Sequence, residues 1–145
     1  MTEVDQKEYN RKLIEEFREA RDIGDVPLNG RPIVLLTTRG AKSWQPRTTP
    51  MMYIHDGDRI LVVASNAGAP SHPDWYYNIR IHPDVIVEIG LETYDAVAII
   101  PMGTERQKLW DMIVSHYHFF AEHQAQVERE IPVIALEKRV VGPTA

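Results

Sequence analysis

The sequence predicts an α+β fold built on an antiparallel β-barrel, and three observations carry that reading. Six short runs rich in apolar and β-branched residues are spread along the 145 residues. Turn signals separate them, and Asp56-Gly57-Asp58 is a strong hairpin pattern between two of the runs. No regular strand–helix–strand rhythm links them, which argues against a doubly wound parallel sheet. The length suits a single domain, expected to span 1–145, with an N-terminal helix over 1–25 and the barrel and its helices over 26–138.

The elements follow in order. Asp5 with Glu8 reads as a capping box, and Leu13, Ile14 and Phe17 form an apolar helical stripe that Gly24 and Pro27 end. Ile33–Thr38 is a buried strand, followed by a polar turn from Arg39 to Pro46. A second strand is expected over Thr48–His55, with Pro50 confining part of it to an edge or bulge, and a third over Arg59–Ser65. Asn66–Ser71 is a loop of small residues, and His72-Pro73-Asp74 opens a short helix. Val85–Ile89 and Tyr94–Ile100 form a hairpin around Gly90. Thr104 and Gln107 suggest a capping box for a helix carrying Leu109, Trp110, Ile113 and Tyr117, running broken to about Glu130. Pro132–Glu137 is the last strand.

The charge distribution offers two readings, a site for a small anionic ligand and a solvated basic loop, and charge alone favours the loop. The net charge of −5 opposes nucleic-acid binding, which needs excess cation. Yet Val26–His55 contains no Asp or Glu while holding Arg31, Arg39, Lys42 and Arg47. The chain has no cysteine, which removes disulfides, thiolate metal sites and a cysteine nucleophile. A polar Met1–Lys12 and the lack of a membrane-length apolar run predict a cytoplasmic protein. The mixed charges of Lys7, Glu8, Arg11, Lys12, Glu15 and Glu16 leave peripheral membrane contact open, and monomer and homodimer stand equally open.

No G-x-G-x-x-G, P-loop, G-x-S-x-G or H-E-x-x-H pattern is present. His116, His118 and His123 read as surface or pocket-rim groups, and no metal site is expected. Three segments remain. Thr37–Ser43 with Arg47 offers hydroxyls, amides and cations for phosphate or carboxylates. Ala64–Pro70 would let a planar ring approach the backbone. His72–Asn78 sets aromatics on a short helix, where Trp75 reads singly as core and Asn78 as a cap.

These segments, in this order, resemble the deazaflavin (F420)-dependent nitroreductase family of actinobacteria. The likeness rests on Leu35–Thr38, Lys42-Ser43, Arg47, Pro50, Val63–Ser65, Gly68–Pro70, His72–Asn78 and Ile131–Val133, and covers about Asn10 to Leu136. It implies a split β-barrel related to flavin-binding barrels, with reduced F420 as hydride donor to a small electron-poor acceptor such as an activated alkene, quinone or nitro compound.

Carried onto this sequence, the resemblance implies that Lys42, Ser43 and Arg47 hold the coenzyme's phosphate and glutamate tail. Thr48, Thr49, Pro50, Met51 and Met52 would line its path, Ala64, Ser65 and Asn66 the ring, with Asp74, Trp75, Tyr76, Tyr77 and Asn78 completing the site. Met52, Tyr117, Phe120 and His123 match the substrate pocket, and Ser65 and Tyr117 are the candidates for stabilising developing negative charge. The sequence departs from the family at Ala41, where a basic residue is common, and at Trp44, where glycine is usual. Met52, Phe120 and His123 stand where nitroimidazole-reducing members carry aromatic residues, tyrosine at the last two. Two alternatives stay open: an FMN-dependent reductase, and a non-catalytic carrier of a fatty acid or other apolar ligand whose barrel mouth Trp44 plugs.

Overall fold

The computed structural model describes residues 3–139. Seven strands form one antiparallel sheet: β1 (Ile33–Arg39), β2 (Pro46–Met52), β3 (Ile54–Asp56), β4 (Arg59–Val63), β5 (Asp84–Ile89), β6 (Glu92–Ile99) and β7 (Val133–Lys138). Four helices accompany it: α1 (Glu3–Asp22), α2 (Asp74–Ile81), α3 (Gly103–His116) and α4 (Phe119–Ala125).

The strand order is β2-β1-β5-β6-β7-β4-β3, so β2 and β3, separated only by Tyr53, lie at opposite edges of the sheet. A flat sheet cannot place consecutive residues on its two edges. The sheet therefore curls on itself, and Tyr53 sits at the seam, where β2 also meets β4. This corrects the expectation of six strands: the run expected over Thr48–His55 divides at Tyr53, whose N–H donates to the Pro32 carbonyl at 3.2 Å.

Period-two alternation separates two cores. Val34, Leu36, Ile60, Val62, Val87 and Leu136 join Trp75, Tyr76 and Ile79 of α2 in one cluster. Leu61, Val133 and Ala135 pack with Leu109, Trp110 and Ile113 of α3 and Phe120 of α4 in the other. On β4 the neighbouring residues Ile60 and Leu61 thus face different layers. Helix α1 buries Leu13 and Phe17 and lies against β2. Its Arg18 and Arg21 both pair with the buried Glu88 of β5, each at 2.8 Å.

Three local expectations are corrected. Helix α1 already runs from Glu3, so Asp5 is not its cap, and Glu8 pairs with Arg11 one turn on. The cap residue of α3 is Met102 in extended backbone, with no side-chain capping bond, and Gln107 donates to Asp111 at 2.9 Å. His116 and His118, expected two apart on one helix, do not share one, since α3 ends at His116 and α4 starts at Phe119.

Candidate functional site

The turn between β1 and β2 is built first by its own backbone. Gly40 donates to the Gln45 carbonyl at 2.8 Å, Trp44 donates to the Gly40 carbonyl at 3.0 Å, and a Cβ at Gly40 would collide with the Ser43 hydroxyl. Helix α2 then fixes the turn. The buried Asn78 accepts from the Ala41 N–H at 2.9 Å and donates to the buried Thr38 hydroxyl at 3.1 Å. Asn78 is therefore a clamp between helix and turn rather than a helix cap. At the base of the strands, the Thr37 and Thr48 hydroxyls bond each other at 2.8 Å.

Above this clamp runs a groove of about 960 Å³. Lys42, Ser43, Arg47, Thr48 and Thr49 form one wall, and Asp74, Trp75, Tyr77 and Asn78 of α2 another. Helix α1 adds Lys7, Asn10, Arg11 and Ile14, which sequence reasoning did not place at the site. Among the described residues no ion pair engages Lys42 or Arg47; both are exposed, and Arg47 donates only to the Pro46 carbonyl at 3.3 Å. Trp44 does not plug the barrel. It is 60% exposed, packs against His82 with ring centres 4.2 Å apart and the rings tilted by 54°, and borders a separate pocket of about 310 Å³ with Arg39 and Asp84.

Trp75 links the groove to the interior, because it lines the first and belongs to the core that holds the fully buried Ala64 and the largely buried Tyr76. Met51 packs against that core, while Pro50 and Met52 are half-buried on β2. Ser65 is buried, and Asn66, exposed, donates to the Ser71 carbonyl at 3.1 Å. None of these loop residues lines the groove directly.

Tyr117, Phe120 and His123 form a second cluster apart from the groove. Phe120 is 5.9 Å from the His123 ring and 6.2 Å from the Tyr117 ring. Phe120 lies in the helix-layer core, and His123 Nδ1 is buried without a hydrogen-bond partner. The cluster meets the rest of the site at two points. Tyr117 donates to the Tyr53 carbonyl at 3.3 Å, beside Met52, and α4 abuts the loop at Gly68, where a Cβ would meet Gln126 Oε1 at 2.5 Å. Burial, reinforced by Tyr117, raises the pKa of Tyr53. Burial, then Arg129 and Arg80, lowers that of His72. Among the described residues, no three His, Asp or Glu side chains are grouped to hold a metal ion, and no helix is long and apolar enough to cross a membrane.

Comparison with known proteins fits this geometry. The family model for F420H(2)-dependent quinone reductase matches residues 10–138. An F420H(2)-dependent quinone reductase of Mycobacterium tuberculosis (strain H37Rv) is 37% identical over 111 residues, 74% of each chain. The solved structure of an F420-H2 dependent reductase, FDR-A, superposes with a TM-score of 0.68 at 41% identity, covering 74% of this chain and 95% of that one. A structure described as a domain-swapped dimer reaches a TM-score of 0.72 at 38% identity, covering 88% and 96%. With the curled sheet and the cationic groove already in place, a match over nearly the whole described chain settles the kinship: the chain belongs to the F420H(2)-dependent quinone reductase family.

Proposed function

We propose that the chain is an F420H2-dependent reductase that delivers hydride to a quinone-type acceptor, with the groove between α1, the β1–β2 turn and α2 as its coenzyme site. One observation carries the placement. On a chain of net charge −5, the groove holds Lys42 and Arg47, which no carboxylate among the described residues engages, flanked by the Ser43, Thr48 and Thr49 hydroxyls. That donor set suits a phosphate and a row of carboxylates, so the residues fit the coenzyme.

When bound, the reduced deazaflavin supplies the hydride. Lys42, Ser43 and Arg47 hold the anionic tail, and Thr48, Thr49, Pro50, Met51 and Met52 line its course along β2. Ala64, Ser65 and Asn66 would meet the ring beyond the groove, past Trp75: Asn66 is exposed there, and the buried Ala64 and Ser65 stand behind it with short side chains that allow close approach. Trp75 and Tyr76 wall the ring site, while Asp74, Tyr77 and Asn78 close its α2 side. Ser65 and Tyr117 donate to the charge that develops on the acceptor, which Met52, Tyr117, Phe120 and His123 enclose. Phe120 shapes this pocket from the core behind it. We further infer a cytoplasmic protein of one folded domain; light scattering decides between monomer and homodimer, and liposome co-sedimentation decides whether it touches a membrane surface at all.

Turnover tests the reading. Reduced F420 mixed anaerobically with the protein and menadione should regain the absorbance of oxidised F420, whereas reduced FMN should not be oxidised faster than without protein. No F420H2 oxidation above the protein-free rate, or equal turnover of both coenzymes, would contradict the proposal. Release of a fatty acid from the purified protein, seen by mass spectrometry, would favour the carrier alternative.

A further inference from the structure

We propose that Arg129 is the positioning residue of the ring loop, setting the backbone of residues 64–69 for the reaction assigned above; the inference rests on that assignment. Arg129 lies in the connection between α4 and β7, outside the groove and outside every motif singled out in the sequence. Its guanidinium donates to the Ser65 carbonyl at 2.7 Å, the Ala69 carbonyl at 3.1 Å and the Ala64 carbonyl at 3.3 Å. It also meets His72 Nδ1 at 3.0 Å. All four acceptors belong to the segment from 64 to 72.

The loop needs such a support. Asn66 and Ala67 adopt φ of 50° and 54°, where a side chain is strained at about 1 kcal/mol or more each. Its own bonds are few: Gly68 N–H to the Ser65 carbonyl and Ala69 N–H to the Asn66 carbonyl, each at 3.0 Å, and the Asn66 side chain to Ser71. The planar guanidinium fork supplies donors in fixed directions, which a lysine ammonium does not.

The consequence for chemistry follows from the trans peptide. In a trans unit the carbonyl of one residue and the N–H of the next point to opposite sides, and the chain has no cis bond among its described residues. By holding the carbonyls of Ala64 and Ser65, Arg129 turns the N–H groups of Ser65 and Asn66 to the other side of the loop. We assign these two amides, on the face of the loop away from Arg129, to the ring site proposed above. Donors fixed before reaction stabilise developing charge without reorganising. Arg129 acts on them from behind and touches neither coenzyme nor acceptor.

The test separates binding from turnover in wild type, Arg129→Gln and Arg129→Lys. Arg129→Gln should fold and bind oxidised F420 within about threefold of wild type, because the tail contacts are untouched, while kcat with F420H2 and menadione falls about 100-fold, as for a misplaced reacting group. Amide hydrogen exchange at residues 64–69 should speed up in the free protein. Should Arg129→Gln fail to fold, Arg129→Lys carries the test, with kcat lower by about fivefold, the equivalent of one hydrogen bond, at unchanged F420 affinity. Wild-type kcat in the folded variants overturns the role of Arg129 alone. No turnover by the wild type overturns the functional reading, and this role with it.

Discussion

Asn78 joins two segments that the sequence keeps 37 and 40 residues away from it, and that distance explains both its importance and why the sequence shows it as a cap rather than as a clamp. Replacing it by alanine leaves the Ala41 N–H and the buried Thr38 hydroxyl without this partner. Urea unfolding should show a loss of about 1–3 kcal/mol, and F420 affinity should drop as the turn carrying Lys42 loosens. His72 makes a second residue-scale prediction. Burial first, then Arg129 and Arg80, depresses its folded pKa below the ordinary 6.5. The unfolded chain therefore binds the proton first as pH falls, so stability present above about 6.5 declines below it. A His72→Phe variant should flatten that part of the Tm-versus-pH curve; an unchanged slope would show that His72 contributes nothing to it. Residue types singled out Lys42 and Arg47, which line the groove, and the 64–70 loop, which does not. Asn78 was named in the sequence as a cap and, through the resemblance, as a site residue, but its clamp on the turn left no sequence signal, nor did the contacts of Arg129, because their partners are backbone atoms and hydroxyls brought near only by the fold.

Helix α1 was legible as an amphipathic segment from Leu13 and Phe17, both of which are buried. Its role as a wall of the groove was not, because helical periodicity says which face packs and not which strand receives it. Docking is settled by Glu88, which is 8% exposed and holds Arg18 and Arg21. Glu88→Ala should destabilise the protein by about 1–3 kcal/mol, less than a fully buried pair because Arg18 is half exposed. It should also weaken F420 binding as the α1 wall loosens, read by thermal unfolding and by titration. Helix α3 provides the contrast. Ile113 is fully buried in the helix-layer core, so Ile113→Ala should cost about 2–5 kcal/mol while leaving the F420 dissociation constant of the folded protein unchanged. The start of α3 misled the sequence reading because a Thr104–Gln107 spacing imitates a capping box where the chain instead turns at Gly103, φ 61°.

At the scale of the whole molecule, short β-rich runs parted by turn signals, without a strand–helix–strand rhythm, were enough to reveal an antiparallel barrel, and they carried no sign of the seam. Only closure of the sheet requires Tyr53 to separate β2 from β3, and closure is a property of all seven strands together. The same closure brings the acid-free turn, the N-terminal helix and α2 around one cavity and leaves the rest of an acidic protein outside it. The central claim is that this groove binds an anionic coenzyme through Lys42 and Arg47. Calorimetric titration of oxidised F420 into wild type, Lys42→Ala and Arg47→Ala at low and high salt tests it most directly. Each substitution should weaken binding by about 1–3 kcal/mol, and added salt should weaken the wild type more than either variant. Equal dissociation constants for all three proteins, insensitive to salt, would contradict the account.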